Sequence, residues 1–533
     1  MSNNPIAYFS MEFAIDDTLP IFAGGLGILT ADILFEASLQ QKPLIGIGLF
    51  YHQADQVSLK AVTDKSGNIL IISVPFADKQ VKVKVWKKLV GNIPLYLLDT
   101  HVEGNTSEDY RICSQLYDGN KERRFKQEII LGIGGTKLLK SLNISPRYYH
   151  LNEAHCALAI IQATIQAKKA NSSISFYDAL NQTKNKTLFT NHTIVPTDND
   201  VFSENLASIY LKPYAEDLQI PVHELIELGK VEDASMFSLT LLALRHSVRI
   251  NAVSQLHSQI ANKTWPGFNF IPITNGIFLP RWLQSPLAKV WPLAQKEPCS
   301  KKIFWQAHLK QKRAMLKLVN QRTGAKLEEN ALTITWARRI TSYKRPNAIF
   351  KDIKRFEAIL STSNKPVQFL MAGKVHPNDN EAKQLVKHIH QLCRKDVCQR
   401  HFQFIPNYDI TIAQALVGGS DIWLNTPLRG YEACGTSGMK ACLNGVLQMT
   451  TKDGWTNDIN WAKYGWTLDS DNVSEDIYRL LENEVTNLYF KQNSLGFSPE
   501  WVDRMIHSSS LIRKNYSSTR MFNHYIEKLY LWL

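Results

Sequence analysis

Ten short apolar runs alternate with stretches of helical periodicity along this chain, and that alternation limits its fold more than any composition value does. The runs come in two groups. The first holds Ile6–Ser10, Leu44–Phe50, Tyr148–Leu151, Thr187–Thr190 and Ile250–Val253. The second holds Thr333–Trp336, Phe369–Ala372, Phe402–Ile405, Ile422–Leu424 and Val446–Met449. Helical patterns lie between many of them, as at Arg124–Lys140 and Phe237–His246. Apolar runs of strand length separated by helices predict parallel sheets covered on both faces. Two groups in 533 residues predict two doubly wound α/β domains. The turn-rich string Asn275-Gly276-Ile277-Phe278-Leu279-Pro280 ends the first group. A Lys- and Gln-rich stretch, Ile303–Arg322, predicts a helical linker before the second group opens at Leu332. The expected organisation is residues 1–285, a linker at 286–330, residues 331–510, and a closing helix at 511–533 that packs back on the first domain. Ligands of such sheets bind beyond the carboxyl ends of the strands, so two domains would face a central cleft.

Charge and cysteine usage narrow the class. The chain has 61 Lys and Arg against 48 Asp and Glu, a net +13. The basic residues are spread out, which argues for an ordinary basic surface over nucleic-acid binding. The seven cysteines are scattered; neither Cys393 with Cys398 nor Cys434 with Cys442 has the spacing of a metal site. A reduced, cytoplasmic protein fits. The start, Met1-Ser2-Asn3-Asn4-Pro5, has no secretory pattern, and the apolar run Pro43–Phe50 is too short to span a membrane.

Five strings bear chemistry. Ala23-Gly24-Gly25-Leu26-Gly27 before a helical pattern reads as an anion-binding turn or as a tight packing turn. His150-Leu151-Asn152-Glu153-Ala154-His155 ends a strand; it lacks the HExxH zinc spacing, and helix capping by Asn152 with satisfied cleft histidines is favoured over metal. Thr190-Asn191-His192-Thr193 also follows a strand, where polar groups face a cleft or a histidine bonds a turn. Arg338-Arg339-Ile340-Thr341-Ser342-Tyr343-Lys344-Arg345 packs four cations at a strand mouth, suited to phosphate oxygens or else a solvated loop. The most specific string is Tyr431-Glu432-Ala433-Cys434-Gly435-Thr436-Ser437-Gly438-Met439-Lys440. Its Gly-Thr-Ser-Gly run offers N–H and hydroxyl donors to a phosphate, Glu432 could bind sugar hydroxyls, and Lys440 could form a Schiff base.

In order along the chain, these strings, with Tyr8-Phe9-Ser10-Met11-Glu12-Phe13, Asn251-Ala252-Val253-Ser254 and Thr274-Asn275-Gly276, resemble the α-glucan phosphorylase family in its short bacterial or archaeal form. The likeness covers nearly the whole chain. It implies a glycosyltransferase-B fold and pyridoxal 5′-phosphate on Lys440. The implied reaction is retaining phosphorolysis of terminal α-1,4-glucosyl units of glycogen, starch or maltodextrin, giving glucose 1-phosphate. By the same resemblance Gly435, Thr436, Ser437 and Arg338 hold the cofactor. Arg339 and Lys344 hold the phosphate pair, aided by the backbone of Gly25, Leu26 and Gly27. His192 and Asn275 bind the primary hydroxyl of the transferred glucose. Glu432 and Tyr343, with the N–H groups of Ala433, Cys434 and Gly435, bind its ring hydroxyls. Lys440, Arg339, Lys344 and His192 are the expected catalytic group, with no metal, nucleic acid or membrane partner; a homodimer is compatible with it.

The chain departs from the long enzymes at Arg338, Cys434 and Gly438, in the stretch Asp453–Asp458, and before Glu432. These departures bear on substrate preference more than on the reaction. The strand at Ile6 leaves little preceding chain, so no phosphoserine or nucleotide switch of the long-enzyme kind is expected. A nucleotide-sugar glycosyltransferase of the same fold would not need Lys440, and a silent glucan-binding protein would be expected to have lost some of the site residues.

Overall fold

Both groups of apolar runs form the predicted strands, because a strand covered on two faces must be apolar throughout. The computed structural model describes residues 4–52, 59–194, 201–232, 234–294, 300–375, 379–393 and 400–531. Met1–Asn3 and Cys398, weighed above, lie outside these. The chain divides into two compact units. The first comprises Met1–Val253, Ser258–Ile273 and Phe522–Leu533; the second comprises Ser254–His257 and Thr274–Met521.

Among the described residues the first unit has a ten-stranded sheet. Its strands are β1 (Ile6–Phe9), β2 (Leu44–Leu49), β3 (Lys60–Ala61), β4 (Ile71–Phe76), β5 (Lys79–Val90) and β6 (Ile93–Asp99), then β7 (Tyr148–Asn152), β8 (Thr187–Asn191), β11 (Arg249–Ala252) and β12 (Phe270–Pro272). A separate hairpin pairs β9 (Val201–Ser203) with β10 (Met236–Ser238). The order β12-β11-β8-β7-β1-β2-β6 is parallel throughout. The strand β1 is fully buried and lies between β2 and β7. Successive crossovers leave it in opposite directions, so the switch point lies beyond the ends of β1 and β7.

The expectation of a purely parallel sheet is corrected at one edge. There β5 runs antiparallel to β6, and β3 and β4 pair antiparallel with β5. In β5 the buried Val81, Val83 and Val85 alternate with less buried lysines, a period of two that leaves one face towards water. Two helix expectations also shift. Arg124–Lys140 lies in a helix that runs from Lys121 to Ser141 through a π turn at Ile130–Gly134. At Phe237–His246 the helix starts only at Leu239, because Phe237 pairs within β10.

The closing residues of the chain pack onto this sheet. Tyr530 and Tyr525 are buried, Arg249 Nε donates to the Leu529 carbonyl (2.7 Å), and Arg147 Nη2 donates to that of Leu531 (3.0 Å).

The second unit has a six-stranded, wholly parallel sheet in the order β15-β14-β13-β16-β17-β18. Its strands are β13 (Leu332–Ala337), β14 (Val367–Ala372), β15 (Phe402–Ile405), β16 (Ile422–Asn425), β17 (Leu447–Thr451) and β18 (Gly465–Leu468). The Lys- and Gln-rich stretch is a helix, Ser300–Thr323, within this unit. A cluster of Phe350, Phe356, Phe369 and Phe402 fills one side of the core; each such buried ring contributes about 1.5–3 kcal/mol. Here β13 and β16 flank the switch point. Among the described residues no helix is long and apolar enough to cross a membrane.

Candidate active site

In the second unit, the residues that follow β13 and β16 converge. Arg338, Lys344 and Glu432 are all buried. Lys344 Nζ lies 3.1 Å and Arg338 Nη1 3.3 Å from the same Glu432 oxygen, Oε2. Arg338 Nη2 also donates to Ser437 Oγ at 3.2 Å, while its buried Nε has no hydrogen-bond partner. Arg339 is exposed and hydrogen-bonds the Tyr343 side chain. Burial brings Lys344 down to about 8; the Glu432 charge opposes this, and repulsion from Arg338 and Arg339 adds to it. Burial opposes ionisation of Glu432, but Lys344 and Arg338 outweigh it and hold the carboxyl below its ordinary value. Burial first, then the Glu432 charge, pushes the Tyr343 phenol up. Two buried cations against one carboxylate carry net positive charge, which an anion with several oxygens would balance.

The loop bearing Glu432 is built from the backbone outward. Asp453 Oδ2 accepts from the N–H of Tyr431 (3.2 Å) and Glu432 (2.8 Å), and Oδ1 from Gly454 (2.9 Å). Burial pushes this carboxyl up to about 6. Ser254 Oγ donates to the Ala433 carbonyl at 2.6 Å. Gly435 has φ +84°, and a Cβ there would crowd Glu432 Cγ at 3.1 Å, so only glycine lets the loop close over that carboxylate. Burial raises the Cys434 thiol to about 12, which makes it an apolar filler here and no nucleophile. Thr436 precedes the short helix Ser437–Leu443 without a side-chain capping bond, and this helix buries Lys440 with its Nζ 4.2 Å from the centre of the Trp282 ring. Asn444 Nδ2 donates to both the Lys440 carbonyl (2.9 Å) and the Trp282 carbonyl (2.8 Å), which fixes the two together. Asn275 lies nearby in sequence order to Trp282, and its buried Oδ1 has no hydrogen-bond partner. Arg520 Nη2 holds the Thr274 (2.7 Å) and Asn275 (3.1 Å) carbonyls.

One of the four expected cations is structural. The Arg345 guanidinium donates to the carbonyls of Thr426, Pro427 and Ser470, from a residue in the left-handed region at φ +47°.

In the first unit the glycine string opens the helix Gly25–Leu39, which places Gly25, Leu26 and Gly27 in its first turn. The buried Glu12 clamps this turn. Its Oε2 accepts from the N–H of Ala23 (2.7 Å) and Gly24 (3.1 Å), and its Oε1 accepts from Tyr117 Oη (2.6 Å). A Cβ on Gly27 would lie 2.6 Å from Phe22 Cβ and 2.9 Å from Glu12 Oε2, so this glycine answers to close packing. His192, just past β8, is half-buried. Its Nε2 lies 2.8 Å from Asn152 Oδ1, and its N–H donates to Glu153 Oε2 at 2.8 Å. Glu153 also accepts from Thr193 Oγ1 (3.1 Å) and Ala154 N–H (3.0 Å), and it sits at φ +77°.

Helix capping therefore falls to Glu153, whereas Asn152 reaches across to His192. His150 bridges Tyr530 Oη (2.8 Å) and Thr190 Oγ1 (2.7 Å), and burial holds it neutral, at about 3. His155 meets Arg124 at 3.2 Å. Among the described residues no three His, Cys, Asp or Glu side chains converge as metal ligands.

The sequence strings contain Glu12 and Asp453 but assign neither a role, and they omit Tyr117 and Trp282. Glu12 stood within a string already quoted, and the Asp453-Gly454 pair is a turn signal; Trp282 and Tyr117 had no local signal.

The chain is similar to known proteins over nearly its whole length. A family model described as carbohydrate phosphorylase matches residues 284–465. The chain is similar to a maltodextrin phosphorylase of Thermococcus litoralis, 34% identical over 99% of this chain and 70% of that protein. It is 32% identical to a glycogen phosphorylase of Aquifex aeolicus, over 99% of this chain and 86% of the relative. It is 30% identical to an uncharacterized protein of Methanocaldococcus jannaschii over 99% of both chains.

Proposed function

This chain belongs to the carbohydrate phosphorylase family, and from that premise we propose that it is an α-glucan phosphorylase. It cleaves the terminal α-1,4-glucosyl unit of a glucan with inorganic phosphate and releases glucose 1-phosphate. The observation that carries the reading is the buried cluster of Arg338, Lys344 and Glu432 at the switch point of the second sheet, with Lys440 buried on the following helix. In this reading the two sheets have the glycosyltransferase-B arrangement, with expected limits 1–285 and 331–510, and the protein is cytoplasmic.

The residues fit pyridoxal 5′-phosphate. Lys440 is buried against an aromatic ring, Arg338 has a buried Nε with no hydrogen-bond partner, and Ser437 stands within reach of the same guanidinium. Lys440, Gly435, Thr436, Ser437 and Arg338 would hold it. When bound, the cofactor supplies a phosphate group that relays a proton beside the substrate phosphate.

The chain's own residues do the rest by position and charge. Arg339 and Lys344 bind the substrate phosphate, together with the first-turn N–H groups of Gly25, Leu26 and Gly27. Two phosphates in one site repel, so several cations are needed. Glu432, Tyr343 and the N–H groups of Ala433, Cys434 and Gly435 orient the glucosyl ring. His192 and Asn275 take its primary hydroxyl. The substrate phosphate then protonates the glycosidic oxygen and attacks from the same face, which retains the α configuration.

The deciding experiment is an assay for glucose 1-phosphate on glycogen, starch and maltodextrins with inorganic phosphate. It is run beside an absorbance scan and borohydride fixation followed by peptide mapping. Product that depends on phosphate, with the label on Lys440, is expected. Transfer from a nucleotide sugar by a protein without the chromophore would replace this reading.

A further inference from the structure

We propose that Asn152 is a positioning residue: it fixes the tautomer of His192, keeping the proton on Nε2 and turning Nδ1 into a hydrogen-bond acceptor for a sugar hydroxyl. The proposal rests on the reading above in one respect, that His192 meets the primary hydroxyl of the transferred glucose.

The argument is a chain of hydrogen bonds that has one favoured direction. Asn152 closes β7 and is fully buried, and His192 follows the adjacent parallel strand β8. His192 Nε2 and Asn152 Oδ1 are 2.8 Å apart. At the other end of the amide, Asn152 Nδ2 donates to Ser10 Oγ at 3.2 Å. Ser10 Oγ in turn donates to the Glu12 carbonyl at 3.2 Å. Ser10 is fully buried, and its hydroxyl carries a single proton.

The amide could in principle be turned round, with Nδ2 donating to His192. Its oxygen would then face Ser10 Oγ, and the serine proton would have to leave the Glu12 carbonyl. Two hydrogen bonds would replace three, in surroundings where a lost bond is costly. With the amide as it stands, Oδ1 accepts and His192 Nε2 must carry the proton. In a neutral imidazole the other nitrogen is then an acceptor. The backbone of the same residue is held independently, since Glu153 Oε2 accepts its N–H at 2.8 Å. The backbone of His192 is thus held by Glu153, and the protonation pattern of its ring by Asn152.

An acceptor at Nδ1 selects for a hydroxyl that can donate. The test uses the synthetic direction, with a maltodextrin primer and either glucose 1-phosphate or 6-deoxyglucose 1-phosphate. The Asn152→Ala variant should lose roughly tenfold in kcat/KM on glucose 1-phosphate, the worth of one well-made hydrogen bond. On the 6-deoxy substrate it should match the wild type, because the contact it supports is already gone. An equal loss on both substrates would show that Asn152 only supports the fold, and the proposal would fall.

A second readout needs no turnover. In wild-type protein labelled with 15N-histidine, His192, assigned by its loss in His192→Asn, should show a protonated Nε2 and an unprotonated Nδ1. The reverse pattern overturns the proposal even if Asn152→Ala does not fold. A wild type that shows the expected nitrogens but transfers no glucose would instead sink the phosphorylase reading and leave the tautomer assignment standing.

Discussion

Two buried charge clusters sit at opposite ends of the second sheet, and they are built in opposite ways. At the amino ends of β13 and β16, Asp421 is wholly buried. Its Oδ2 accepts from Lys312 Nζ (2.5 Å) and the Thr333 N–H (2.8 Å), and its Oδ1 from His308 Nε2 (2.9 Å). Lys312 completes its three donors with the Ala331 carbonyl (2.6 Å) and Tyr489 Oη (3.0 Å). Burial opposes the Asp421 charge, but Lys312 and His308 outweigh it and hold that carboxyl low. This cluster locks the helix Ser300–Thr323 onto the sheet, and it leaves Lys312 no spare donor for a ligand. At the carboxyl ends, a single Glu432 faces Arg338 and Lys344. A complete ion network serves the fold, whereas an excess of buried cations costs stability and suits an anionic ligand.

The sharpest break is at Lys440. Lys440→Ala should abolish phosphorolysis and borohydride labelling together while leaving the unfolding midpoint near that of the wild-type apoprotein. Activity that survives would remove Lys440 from the site. Next in size is Asp421→Ala, which strands a buried ammonium. It should cost about 3–5 kcal/mol in urea unfolding of the apoprotein. A loss below about 1 kcal/mol would mean that the amino-end cluster does not lock the helix onto the sheet. Arg339→Ala should weaken phosphate use by about 1.5–3 kcal/mol, the worth of a hydrogen bond to a charged group, seen as a raised phosphate KM. An unchanged phosphate dependence would show that the exposed Arg339 takes no part in phosphate binding.

The most direct contrast deletes a buried cation at the other end. Arg338→Met should leave stability unchanged or raise it by about 1 kcal/mol, although it lowers activity. A destabilisation as large as that of Asp421→Ala would erase the distinction between the clusters. The smallest effect is in pH. Lys344 is charged below about 8 and neutral above it, so its contribution to phosphate binding is present at neutral pH and lost as pH rises through that value. The phosphate KM should rise a few-fold on the alkaline side, and Lys344→Arg should move that limb to higher pH. An unshifted limb would assign it to another group.

The sequence by itself determined the strands and the chemistry-bearing strings. Each of the ten apolar runs became a strand, because in a parallel sheet burial on two faces writes itself as an unbroken apolar run. The alternating Val and Lys of β5 belong to a half-solvated edge, which writes no unbroken apolar run in the sequence. The strings around Arg338, Glu432 and Lys440 were legible because strand mouths and glycine turns are local features.

Which member of a string does what was decided only by tertiary structure. Arg338 and Arg345 stand seven positions apart in one basic string, yet one faces Glu432 and the other is fully occupied by three carbonyls. Tyr117 reaches Glu12 from 105 residues away, and Asn152 reaches His192 from 40. The physical reason is range. Burial and turn propensity act on neighbours in sequence, whereas a hydrogen-bond partner is chosen by the crossovers that bring distant strand ends to one switch point.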